Sequence, residues 1–99
     1  MIAIRKENGS YIPVILCDHC GQIIVDAMGA MELSSSAPEG ANAQAYYVHK
    51  GACEQAVSAK LGGMHGSDEL AVHLFDLLRS AMAKSDLERV KNAIDWSAG

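Results

Sequence analysis

Residues 15–24, Ile-Leu-Cys-Asp-His-Cys-Gly-Gln-Ile-Ile, and residues 46–53, Tyr-Tyr-Val-His-Lys-Gly-Ala-Cys, carry the pattern that decides the fold. All three cysteines of the chain lie in these two stretches, and His49 joins them. Three thiols and one imidazole are the ligand set of a tetrahedral Cys3His zinc site. The spacing of Cys17 and Cys20 lets two thiolates reach one ion from a single tight turn, at Zn–S distances of about 2.3 Å. His49 and Cys53 supply the other two ligands from an expected strand–helix junction, with the residues between them bending around the ion. Four protein ligands leave no open coordination position, so the expected metal is one structural Zn2+ rather than a catalytic one.

A redox-active dithiol is the competing reading of Cys17 and Cys20. A thioredoxin-like pair sits at the start of a helix within a βαβ unit. Here Gly21 and the strand-like run Ile23-Ile24-Val25 follow instead, which favours a metal knuckle. In such a turn backbone amides face the thiolates, and a side chain at Gly21 is expected to obstruct them. His19, caught between the two thiolates, has poor geometry for ligation. His65 is expected to be exposed in a glycine-rich linker. His73 is expected to form a solvated polar pairing with Asp76 and Glu69 at helical spacings.

Upstream of the first stretch, residues 2–6 and 11–16 flank Glu7-Asn8-Gly9-Ser10. Asn-Gly between apolar runs is a strong hairpin signal, because both residues tolerate the positive φ of a type I′ turn. Pro13 cannot donate to a ladder, so its strand is expected at an edge or with a bulge. Between the stretches, residues 28–33 and 44–48 form an expected second hairpin around the loop-like 34–43. A helix from about Gly51 to Leu61, stopped by Gly62-Gly63, would carry Cys53, Val57 and Leu61 on one face at i, i+4 spacing.

Met64-His65-Gly66 reads as a linker. Ser67 resembles a helix N-cap, with Asp68 and Glu69 in the first turn, opening a helix from Asp68 to about Lys84. Its expected apolar stripe is Ala71, Leu74, Phe75, Leu78, Ala81 and Met82. Ser85 and Glu88 match a capping box, and a last helix from Asp86 to about Trp96 would present Leu87, Val90 and Ile94. The expected organisation is a zinc-binding lobe, residues 1–63, and a helical hairpin, residues 64–99, packed on that lobe or on a partner within one compact α+β domain.

The order hairpin, Cys-x-x-Cys-Gly knuckle, second hairpin, then a ligand pair opening a helix resembles a treble-clef zinc finger over residues 11–61. The segments ILCDHCGQII and YYVHKGAC are similar to motifs of small uncharacterised prokaryotic and phage-type proteins of this kind. The resemblance implies that Cys17, Cys20, His49 and Cys53 carry the zinc. The second pair departs from the usual pattern, with three intervening residues where two are common. Treble clefs serve protein binding, nucleic-acid binding and nuclease chemistry, so the fold alone does not select a function.

Composition narrows the choice. The formal net charge of −4 argues against affinity built mainly on phosphate neutralisation. The basic residues Arg5, Lys6, Lys50 and Lys60 could share only a small face. An odd cysteine count fits a reduced metal site better than a secreted disulfide framework. Met1 to Glu7 lacks the apolar core of a signal peptide, and no apolar run approaches the ~18 residues of a membrane span. These features point to a cytoplasmic protein. The expected function is a non-enzymatic protein-interaction or regulatory module, with homodimerisation through residues 68–96 as an addition. A nucleic-acid-binding transcriptional regulator is the alternative. No Ser-His-Asp arrangement, phosphate loop or paired-carboxylate signature suggests an enzyme.

Overall fold

The computed structural model describes residues 1–63, 65–82, 86, 88, 89 and 92. It opens with a two-stranded antiparallel ribbon, β1 (Ile2–Glu7) and β2 (Ser10–Ile15), in register from Ile2↔Ile15 to Glu7↔Ser10. Asn8 and Gly9 take φ of 50° and 81°, the positive values a type I′ turn requires. Pro13 lies opposite Ile4 with the register unbroken. Counting from the hydrogen-bonded pair beside the turn, that position exchanges no ladder bonds, so proline costs none.

After the ribbon the chain makes the knuckle, closed by a bridge between Leu16 and Ile23. A 3-10 turn at Ala27–Gly29 follows, capped by the Asp26 carboxylate, which accepts from the Met28 N–H at 2.9 Å. Then come β3 (Ala30–Ser34), β4 (Ala45–His49), α1 (Ala52–Leu61), β5 (Gly66–Glu69) and α2 (Leu70–Ala81). The three strands make an antiparallel sheet ordered β4-β3-β5. Among the described residues the architecture is α+β, with two small sheets and the helices α1 and α2.

The second hairpin and α1 lie within a residue or two of their expected bounds. Residues 66–69 do not. Ser67, Asp68 and Glu69 form β5 rather than a cap and first helical turn, and α2 starts at Leu70 with no side-chain capping bond. β4 pairs only one edge of β3, and β5 satisfies the backbone groups on the other, from Met31↔Glu69 to Ser34↔Gly66. Pairing a buried strand outweighs a local cap worth about 1 kcal/mol. α2 ends at Ala81, short of Lys84. Asp86, Glu88, Arg89 and Asn92 have helical backbone, and the rest of the expected helix 86–96 lies outside the described residues.

Alternate residues of the sheet feed two cores. Leu33 and Val48 join Cys17 and Val57 on the side of α1, with Cys53 and Leu61 packed against them. Ala30 and Tyr47 join Leu70 on the side of α2, with Leu74 packed against them. The period-2 alternation of the strands therefore seats one helix on each face. The expected stripe of α2 is shifted: Leu70 is fully buried and Leu74 half-buried, whereas Phe75 and Leu78 are 55% and 45% exposed. Among the described residues no helix is long and apolar enough to cross a membrane.

Candidate metal centre

The first half of the centre is built by backbone hydrogen bonds of the knuckle. The Cys17 N–H donates to the Gln22 carbonyl at 2.9 Å, and the Gly21 N–H to the Cys17 carbonyl at 3.0 Å. The His19 N–H points at Cys17 Sγ, 3.4 Å away, as amides do around metal thiolates. Gly21 is required for its φ of 75°. A Cβ there would meet nothing within 4 Å, so the expected obstruction of the thiolates does not arise. What excludes a side chain is the left-handed backbone itself.

The second half comes from the end of β4 and the first turn of α1. The Lys50 N–H donates to the Gly29 carbonyl at 3.0 Å, holding the strand end in place. Gly51 takes a φ of 92°, and this bend accommodates the three residues between His49 and Cys53. Cys53 then projects from the helix towards the knuckle.

These two halves converge. One ligand atom from each of Cys17, Cys20, His49 and Cys53 lies within 4.8 Å of all the others, so the group could hold a metal ion. Cys20 Sγ is 3.5 Å from His49 Nδ1, close to the ligand–ligand edge of about 3.5–3.8 Å that a tetrahedral zinc site has. His19 is not in the group. Cys17 is buried, His49 and Cys53 are half-buried and Cys20 is exposed, so the centre lies at the rim of the core with one thiol facing water.

The thiols do not titrate alike. Burial pushes the Cys17 thiol up, but hydrogen bonds from the amides of Cys20, His49 and His19, and from the Cys20 thiol, outweigh it and bring the pKa down to about 6. Burial, then the neighbouring Cys17 and Cys20 sulfurs, push Cys53 up to about 11. Three thiolates crowded this closely repel one another, and a divalent cation is the partner that relieves them.

Four further residues, Glu32, Ser34, His73 and Tyr47, form a polar cluster on the opposite face. Glu32 is 5% exposed, accepts a hydrogen bond from the Ser34 hydroxyl, and has Oε2 3.7 Å from His73 Nδ1. His73 Nε2 lies 3.3 Å from the Tyr47 hydroxyl. Burial first, then the Glu32 and Asp18 carboxylates, raise the Tyr47 pKa above its ordinary value. His73 therefore faces the sheet rather than pairing in solvent with Asp76 and Glu69. Asp76 pairs with Arg79 and Glu69 with Lys50. His65 is likewise bonded, to Ser58 Oγ at 2.7 Å. The sequence signal for the cluster was Glu32 itself, a carboxylate in phase with Ala30 and Ser34 between the apolar Met31 and Leu33.

Comparison of the chain with protein-family models, curated proteins and solved structures finds no match.

Proposed function

We propose that this chain is a small zinc-binding module of treble-clef type that acts by protein interaction or regulation and catalyses no reaction. The supporting observation is the convergence of four ligand atoms from two separate stretches within 4.8 Å. Cys17, Cys20, His49 and Cys53 would hold one Zn2+, and a complete set of protein ligands makes that ion a structural one. Ribbon, knuckle, hairpin and ligand-bearing helix occur in treble-clef order, which supports the finer assignment. Thiols kept reduced for the metal fit a cytoplasmic setting.

For partners, the module offers the outer side of α2. Val72, Phe75, Leu77 and Leu78 are each 45% to 55% exposed there, a concentration that suits a protein partner or a second copy. Nucleic acid is less favoured. Of the four candidate cations, Arg5 lies 3.9 Å from Glu7 and Lys50 lies 3.2 Å from Glu69, so their charge is partly neutralised in place.

Two measurements test the proposal. Elemental analysis of protein purified without added metal should return one zinc per chain, and a metal-free product with unchanged folding contradicts it. Gel-shift titration at about 50 mM salt should show no DNA or RNA binding. Tight binding with a steep salt dependence would replace the reading with that of a nucleic-acid regulator.

A further inference from the structure

Asp18 is the residue between the two halves of the metal centre. Its backbone N–H donates to the Tyr47 carbonyl at 2.7 Å. Its carboxylate Oδ2 accepts from the Tyr47 N–H at 2.7 Å and from the Met1 ammonium at 3.0 Å. Asp18 and Tyr47, 29 residues apart in the chain, thus exchange a pair of hydrogen bonds across the free edge of β4. One partner is next to Cys17 and two residues from Cys20. The other is two residues from His49.

The backbone–backbone bonds within the knuckle, from Cys17 to Gln22, from Gly21 to Cys17 and across the Leu16–Ile23 bridge, are local to it. They shape the Cys17–Cys20 turn but do not fix its distance from β4. The His49 amide to Cys17 Sγ and the Cys20 Sγ–His49 Nδ1 contact do reach β4, but through the ligand sulfurs themselves. The Asp18–Tyr47 pair joins knuckle and strand without using a ligand sulfur or imidazole. Without it, bringing both halves to one ion would cost ordering of the knuckle at the moment of binding, and preorganisation removes that cost.

We infer that Asp18 is a positioning residue for the metal: it clamps the Cys17–Cys20 knuckle to the strand that carries His49 and so sets the geometry of the four ligands without touching the ion. This rests on the metal reading above. It is a claim about geometry, not charge. A carboxylate beside a thiolate-rich zinc site would also alter affinity through its field, and the two effects predict opposite orders for two conservative variants.

The test compares Asp18→Asn, Asp18→Glu and Asp18→Ala with the unmodified chain. Zinc affinity is measured by competition with a chromophoric chelator, and site geometry by the ligand-field absorption of the Co2+ form. Asn retains an acceptor at the same reach and loses the charge, so its affinity should stay within about 3-fold. Glu keeps the charge but displaces the acceptor by a methylene, and Ala removes it. Both should lose about 10- to 100-fold, the usual effect of losing a support outside the ligand set. Their Co2+ spectra should broaden or weaken, while that of the Asn variant overlays the parent. If Ala does not fold, the Asn–Glu comparison decides alone. Equal affinity in all variants, or a larger loss for Asn than for Glu, overturns the positioning role. Failure of the unmodified chain to bind Zn2+ or Co2+ would instead overturn the metal reading, and this inference with it.

Discussion

α1 and α2 lie on opposite faces of one small sheet, and what each buries there differs in kind. α1 buries a single residue, Val57, and otherwise rests on half-buried Cys53 and Leu61. Burial of one valine is worth about 1.5–3 kcal/mol, too little to anchor ten residues against their conformational entropy. α2 buries Leu70, packs Leu74 beside it, and adds the His73 bridge to Glu32 and Tyr47. On the zinc reading proposed above, each face has its own anchor: a metal ligand would supply for α1 what packing and a buried polar cluster supply for α2.

Removing an anchor should therefore release one face more than the other. The largest effect is expected from Cys17→Ser, since a structural zinc contributes on the order of 10 kcal/mol of folding free energy. Circular dichroism should show a large loss of helix and strand signal and of the cooperative melt, and a variant that melts like the parent argues against the division. Acid is a graded form of the same break. Each ligand must shed its proton to bind, so affinity falls as pH falls. Zinc release, followed with a fluorescent chelator, should rise steadily from pH 7.5 towards pH 5, and pH-independent retention would contradict thiolate ligation.

On the other face, Leu70→Ala should cost about 2–5 kcal/mol by opening a cavity against Ala30 and Tyr47, with zinc still bound at one per chain. A loss of bound zinc in that variant would show that the two anchors are not separate. The smallest break is His73→Ala. It strips the buried Glu32 carboxylate of one of its partners, a loss of about 1–3 kcal/mol, visible as a lower denaturant midpoint. Stability within error of the parent would mean that the cluster contributes nothing to holding α2.

The same contrast explains what the sequence made legible. Cys17, Cys20 and Gly21 define a local turn, and Gly51 and Gly62 bracket α1, so spacing alone suffices to place them. β5 was not legible because its partner, β3, is more than thirty residues away, and the local signals at Ser67, Asp68 and Glu69 pointed to a helix cap. The facing side of α2 differs from the expected stripe by about one position for a related reason. Leu70 seats the helix from its first residue, and Glu32 gives His73 a reason to turn inward that no helical periodicity contains. Asp18 carries no signal of its own in the sequence, since its partner Tyr47 is joined to it only by the fold.

Amide hydrogen exchange on the zinc-loaded chain, before and after exhaustive chelation, measures the division between the two anchors most directly. Chelation should remove protection first and most completely from α1 (Ala52–Leu61) and the knuckle, with α2 (Leu70–Ala81) following only as the shared sheet loosens. Protection in α1 that is unchanged by chelation would contradict the division.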